Sequence, residues 1–404
     1  MKTKLHYIIF IISLLVLVAI FSLWKSKPQT TKIQLHHVPF SDLPGWERGD
    51  LRPSFTAFQT SCKVFLNLDP NKKVGSEFID LKARDWLPAC RVAMQPNAPH
   101  TREQIKNFFQ TWFEVVEFHD GKPVQGLFTG YYMSALKGSL TKTEKYNVPI
   151  YGLPDDLVSM QLNLFDPTAR NRKFIGRVDG KHQLIPYHTR EEIEKGAIAG
   201  KAPIIAWVDS QVERLFLEIQ GSGVIELSNG SLLYVGYVAE NGAPYRAIAS
   251  VLIKQGVMTR DNASMQHIRR YLQEHPEEVD SILNQNKSFV FFGKSKQAAA
   301  YGSQGTTLTP GYSMAVDLKW VPMGTPVWLN TTRPELRTEK TRPFQRLMIA
   351  QDTGGAIRGA VRGDIYWGAG EKAITIAGKM RNPGQYWMLL PKKIPSMSNS
   401  KSKT

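Results

Sequence analysis

Cysteine is almost missing from this chain. Its 404 residues contain two, Cys62 and Cys90, and neither has a metal-type spacing or a neighbouring histidine. Zinc frameworks built from Cys and His pairs are therefore excluded. The two thiols can pair in an oxidising compartment or lie apart as buried free cysteines, and spacing alone leaves both open. Nine histidines, including His36-His37, show no His-x-x-x-His pattern, so no metal and no cofactor is expected. Acidic residues are also scarce: 35 Asp and Glu face 51 Lys and Arg, a formal charge of +16. Such a balance predicts an anionic partner. The basic residues are scattered, and no recognised nucleic-acid motif accompanies them, so nucleic acid is not expected. Ser222 has neither a Gly-x-Ser-x-Gly frame nor a nearby histidine, which excludes a nucleophile-elbow serine hydrolase.

Long apolar runs are limited to one. Tyr7 to Trp24 is interrupted only by Ser13 and Ser22, follows Lys2 and Lys4, and leads straight into Lys25-Ser26-Lys27. It is long for a signal-peptide core and just long enough to span a bilayer. Residues 1–27 are expected to be an export signal retained as an anchor, with no cysteine after it for lipid attachment. Residues 28–49, polar and punctuated by proline, read as a linker, and the Lys/Ser-rich 392–404 as a disordered tail.

Between these ends the composition is that of an ordinary globular protein, 42% hydrophobic and 21% charged, long enough for two cores. A helix is expected from Asp50 onward, and another after the capping box Thr101-x-x-Gln104, whose Ile105, Phe108, Phe109, Trp112 and Phe113 form a core stripe. From Val124 the pattern turns to short, glycine-punctuated strands, a β-rich insertion over 130–230 with one helix capped by Thr189-x-x-Glu192. Leu215–Ile219 reads as a strand ending at Gln220-Gly221-Ser222-Gly223, where an amide and bare backbone could meet a sugar. Helices are expected over Tyr245–Gln255, Ser264–Glu274 and Pro276–Asn284, and Arg246, Arg269 and Arg270 would meet carboxylates. Phe289–Phe292 is a buried strand, and Arg333–Arg346 a surface hairpin.

The chemistry is placed in Leu347–Gly370. Leu347–Ala350 reads as a buried strand, Gly354-Gly355 as a tight turn, and Ala356-Ile357 and Ile365-Tyr366 as short strand pieces. That punctuation brings Asp352 and Asp364 to strand ends, and Asp317 sits in a similar strand-then-turn setting, with Trp320, Tyr366 and Trp367 flanking the set. The plain alternative is aspartates that only close turns. A Ca²⁺ or Mg²⁺ site would need denser oxygen spacing than this segment has.

The frame Ala315-x-Asp317, Pro322-x-Gly324-Thr325, Ala350-x-Asp352-x-Gly354-Gly355-Ala356-Ile357-x-Gly359 and Asp364-Ile365-Tyr366-x-Gly368 resembles the three-aspartate domain of the membrane-bound lytic murein transglycosylase A family. Phe128-Thr129-Gly130-Tyr131-Tyr132, Ile219-Gln220-Gly221-Ser222-Gly223, Asn241-Gly242-x-Pro244-Tyr245-Arg246 and Ser264-Met265-Gln266-x-Ile268-Arg269 are similar to its other signatures, in order. The resemblance implies an α+β protein, mainly β with helices: a six-stranded double-psi β-barrel (50–129 and 231–391, with the three-aspartate segment at 305–391) and a smaller inserted β domain (130–230), to which the apolar run adds an N-terminal membrane helix.

It also implies a lytic transglycosylase cutting peptidoglycan between N-acetylmuramic acid and N-acetylglucosamine with 1,6-anhydro ends. By motif position Asp364 is the single acid/base, with Asp352 and Asp317 shaping the site and tuning its pKa. Thr129, Gly130, Tyr131, Tyr132, Gln220, Gly221, Ser222, Gly223, Tyr245, Arg246, Tyr366 and Trp367 are the implied substrate contacts. The implied location is the periplasmic face of a Gram-negative envelope, and the implied partners are glycan strands, the membrane and other cell-wall enzymes. An inverting polysaccharide hydrolase and a non-catalytic, expansin-like wall-binding protein are the rival readings.

Overall fold

A computed structural model of the chain describes residues 33–166, 173–260, 262–295 and 298–392. The expected membrane anchor and all but the first residue of the expected tail 392–404 lie outside them; Lys392 N donates to Trp112 O at 2.9 Å. No helix among the described residues is long and apolar enough to cross a membrane.

Helix formation at the start follows the apolar spacing. Arg52–Leu66 carries Pro53 in its first turn and buries Phe55, Phe58, Cys62 and Phe65 along one face. Cys62 is bonded to Cys90 of the helix Ala83–Ala93, with 5.0 Å between their Cα atoms. The Thr101/Gln104 capping box starts Arg102–Trp112, and Phe108 and Phe109 pack edge-on against Phe55 and Phe58. Together these helices cover one side of a strand system with the main core beneath.

Six strands form a closed circuit of pairings. Gly126–Ser139 lies parallel to Arg362–Ala369, which is antiparallel to Ser313–Val316, itself parallel to Thr341–Asp352. Pro326–Pro334 then pairs antiparallel with Thr341–Asp352 and with Arg381–Pro391, and the latter returns to Gly126–Ser139. The hairpin Pro326–Asp352 is the expected charged excursion, with its turn at 335–340.

Gly126–Ser139 continues out of the circuit into a second sheet. Its last residues pair parallel with Ser222–Leu227 and antiparallel with Ile204–Val208. Leu232–Glu240 and Val290–Lys294 extend this sheet. It therefore runs past residue 230, where pattern alone ended the insertion, because the hairpin partner of Ser222–Leu227 lies beyond that boundary. The helices Ile248–Lys254, Met265–Glu274 and Val279–Leu283 pack beside it with their own core.

Five local expectations are corrected. Gln34–Val38, inside the supposed linker, is an edge strand paired with Phe113–His119, and Leu43 and Trp46 just after it are buried. Leu215–Ile219 belongs to the helix Gln211–Gln220: Ser210 caps it by accepting from the Glu213 N–H, and Gly221 at φ 74° ends it. Ala356-Ile357 is part of a turn, not a strand. Helix begins at Ile248, not Tyr245, and Pro276–Glu278 is a 3-10 turn before a short helix.

Candidate active site

The pairing register creates the site. Asp364 stands directly opposite Thr129 on the parallel strand and opposite Ala315 on the antiparallel one. Thr129 Oγ1 donates to Asp364 Oδ1 at 2.6 Å. Arg362, two residues earlier and so on the same face, donates from Nη2 to Thr129 Oγ1 at 2.8 Å. Burial pushes the Asp364 carboxyl above its usual range, the Arg362 cation and the Thr129 hydrogen bond oppose the rise, and Asp352 adds a smaller upward push.

Asp352 ends the strand Thr341–Asp352, where a register shift in the pairing with Ser313–Val316 sets it against Ala315. Four donors hold it. Oδ2 accepts from Tyr131 OH at 2.8 Å, and Oδ1 accepts from Ser303 N, Ser303 Oγ and Thr353 N at 2.8–2.9 Å. Burial nevertheless raises its pKa against those hydrogen bonds. Asp317 stands apart from this pair. Its Oδ2 accepts from Gly359 N at 2.8 Å and its Oδ1 from Lys319 N at 3.1 Å, so it braces the end of the 354–359 turn.

Both Asp352 and Asp364 line a cleft of about 550 Å³. One wall is the strand circuit with the turn Gly354–Arg358; the other is the second sheet and its helix, through Glu218, Gln220, Tyr237, Glu240 and Tyr245. Of the residues singled out from sequence, Tyr131, Gln220, Gly221, Ser222 and Tyr245 line it with the two aspartates. The others are not on the lining, and Arg246 is exposed. A Cβ on Gly130 would lie 2.6 Å from Trp367 Nε1, so this glycine admits the Trp367 ring and the helix Glu371–Lys379. Gly223 is likewise pressed by Leu217, Tyr132 and Tyr366 are buried, and Trp367 packs on Phe344. Tyr132 N donates to Gln220 Oε1 at 2.8 Å, which holds that amide in place. Arg246 meets Gln285 and Asn286 rather than a carboxylate. Arg269 does pair with a carboxylate, that of Glu213.

Several cleft groups had no sequence signal: Ser303 on a distant turn, Tyr237, and Glu218, paired with the buried Arg190. Arg362 could have been found from its i−2 spacing to Asp364 along a strand. Among the described residues no three His, Cys, Asp or Glu side chains come together as a metal cage.

Comparison with known proteins supplies the lineage. The family described as "MltA specific insert domain" matches residues 127–293 and the "3D domain" matches 312–390. The crystal structure of MltA from Neisseria gonorrhoeae shares a TM-score of 0.73 and 32% identity, covering 90% of this chain and 94% of that one. The chain belongs to the membrane-bound lytic murein transglycosylase A family. A second family structure, the membrane-bound lytic murein transglycosylase from Agrobacterium tumefaciens, has a TM-score of 0.77 at 30% identity over 89% of this chain and 98% of its own. The family's homologue from Buchnera aphidicola is 32% identical over 264 residues, and the match spans 65% of this chain and 65% of that protein's length. The insert-domain match ends at residue 293, inside the strand Val290–Lys294 that extends the second sheet.

Proposed function

We propose that this chain is a peptidoglycan lytic transglycosylase, cutting the β-1,4 bond between N-acetylmuramic acid and N-acetylglucosamine, with Asp364 as its one acid/base. Asp364 gives a proton to the departing O4 of N-acetylglucosamine. The C6 hydroxyl of the muramic residue attacks its own C1 as the C1–O4 bond breaks, and its proton passes to the Asp364 carboxylate. The product is a 1,6-anhydro end, no water is consumed, and the acid is restored. A raised pKa keeps Asp364 protonated nearer to neutral pH, as such a donor requires.

The observation that favours this over inverting hydrolysis is the state of Asp352. An inverting enzyme needs a second carboxylate free to activate water, whereas Asp352 already accepts four hydrogen bonds. It serves as a fixed, hydrogen-bonded neighbour, with Asp317 as a brace on the turn. Gln220, Tyr131 and Tyr245 are the residues best placed to touch sugar. The closed circuit of six pairings is read as a double-psi β-barrel, and the second sheet with its helices as the inserted domain. The apolar run before residue 25 would tether the enzyme to a membrane of a Gram-negative envelope, with murein as its substrate there.

Mass spectrometry of muropeptides released from sacculi tests this. Wild type should yield 1,6-anhydro ends and Asp364→Ala none. Reducing ends would point to a hydrolase, and no cleavage by wild type to a binding protein. Full lytic activity in Asp364→Ala would remove Asp364 from the mechanism.

A further inference from the structure

We propose that Arg362 is a positioning residue which, acting through Thr129, decides which oxygen of Asp364 carries the catalytic proton. This rests on reading Asp364 as the acid. A threonine hydroxyl has one hydrogen to give and lone pairs to accept with, while a guanidinium can only donate. Arg362 Nη2 donates to Thr129 Oγ1 at 2.8 Å, so it occupies an acceptor position on that oxygen. The hydroxyl hydrogen of Thr129 then has one acceptor, Asp364 Oδ1 at 2.6 Å. Oδ1 is thereby held as an acceptor, and the proton of the neutral acid sits on Oδ2, which has no protein partner among the described residues. Asp364 itself lines the cleft. Direction in the chain Arg362 to Thr129 to Asp364 thus points the proton at the substrate.

The guanidinium is fixed for this task. Its Nη1 donates to Leu127 O at 3.3 Å and to Gly363 O, the backbone of the two strands just before the Asp364/Thr129 pair. After proton transfer the same chain delivers hydrogen-bond donation, backed by positive charge, to the new carboxylate, leaving Oδ2 to take the C6 hydroxyl proton. Without Arg362 the Thr129 hydroxyl can turn and accept from a proton on Oδ1, which faces away from the sugar.

Turnover of solubilised glycan strands by the full chain, with pH profiles, tests the relay. Arg362→Met and Thr129→Val should each lower kcat about tenfold, the worth of one charge-assisted hydrogen bond, with KM unchanged. The double variant should be no slower than Thr129→Val alone, because Arg362 acts through that hydroxyl. Thr129→Ser, which keeps the hydroxyl, should restore turnover. In Arg362→Met the alkaline limb should move to higher pH, since the cation opposes the rise of the Asp364 pKa while Asp352 and burial, which favour it, remain. An undiminished Arg362→Met effect in the Thr129→Val background overturns the relay in favour of charge alone. If Arg362→Met does not fold, Thr129→Val against Thr129→Ser decides, and equal turnover in these two overturns the proposal. Loss of the relay while Asp364→Asn stays inactive leaves the acid role standing; an active Asp364→Asn removes both.

Discussion

Replacing Gln351 by leucine probes how the site is held from behind. Gln351 precedes Asp352 and is fully buried. Its Nε2 lies within 2.9 Å of Ala57 O, Thr60 Oγ1 and Ser61 Oγ on the helix Arg52–Leu66, and its Oε1 accepts from Ser313 Oγ at 2.6 Å. Two N–H bonds can be made at once. Its backbone carbonyl accepts from Gln304 N at 3.1 Å, and Gln304 Oε1 accepts from Ser61 Oγ at 2.7 Å. One amide therefore joins the disulfide-bonded helix, a strand beside Asp364, and the turn that presents Ser303 to Asp352. Leucine has a similar volume, so the cost is polar: two donated hydrogen bonds are lost and the Ser313 hydroxyl is left without its acceptor. At roughly 0.5–1.5 kcal/mol per bond and 1–3 kcal/mol for an orphaned buried donor, less the gain from burying apolar surface, the expected loss is about 2–4 kcal/mol. Urea denaturation followed by tryptophan fluorescence measures it, and kcat on glycan strands should fall as Ser303 and Asp352 lose their register. A stability change within about 0.5 kcal/mol, the range of a neutral surface substitution, together with wild-type turnover, would refute this account.

The disulfide closes a sequence separation of 28 residues, so Cys62→Ala/Cys90→Ala should lose about 3.5 kcal/mol on the chain-entropy estimate; an unchanged denaturation midpoint would speak against that. Asp364→Asn should be more stable than wild type at neutral pH. Burial raises the folded pKa above the ordinary aspartate value of 3.8, so the wild-type stability falls as pH rises from that value through the folded pKa, and the advantage of asparagine should vanish on acidification below it; an advantage that grows in acid would contradict the sign. Gly130→Ala should lower both stability, by about 1–3 kcal/mol of overpacking, and kcat, since its Cβ would meet Trp367 Nε1 at 2.6 Å beside Thr129. Normal thermal melting and turnover in that variant would show that Trp367 can step aside.

Local signals carried far where they were mechanical. Thr101 with Gln104 and Thr189 with Glu192 each make both capping-box hydrogen bonds, because the box satisfies donors that any helix start leaves open. The glycine-rich turn after Asp352 and the Asp364 strand could be read together, and both carboxylates line one cleft. Leu215–Ile219 misled because a five-residue apolar run has no period, and the deciding cues, Ser210 and Gly221, lie outside it. Gln34–Val38 is polar and exposed on much of its surface, so nothing in it announces a strand; pairing with Phe113–His119 makes it one. Grouping three aspartates by motif also hid a division of labour: Asp317 bonds to Gly359 and Lys319, while Asp352 reaches Ser303, fourteen residues before Asp317 in sequence. Such partners follow from strand register, which no single stretch encodes.

That register bears on how a chain of charge +16 holds the Asp364 carboxyl above its usual pKa range. The charged groups on the lining are Glu218, Glu240, Asp352 and Asp364, with Arg358 as the one cation among them, so the excess positive charge lies elsewhere on the molecule. Positive charge pulls the Asp364 pKa down, as Arg362 does from beside the Thr129 hydroxyl, and burial outweighs it. Outside, the same charge can attract the carboxylates of a murein strand without entering the site. One backbone also sets the width of the cleft at the acid. Gly126–Ser139 holds Thr129 and Tyr131 against the two aspartates, then pairs through Ser134–Gly138 with Ser222–Leu227, whose preceding residues Gln220 and Gly221 form the facing wall. Tyr132 N bonded to Gln220 Oε1 closes that link. The two walls are therefore tied together within a few residues of Asp364, and domain motion can alter the mouth of the cleft far more easily than the spacing at that carboxyl.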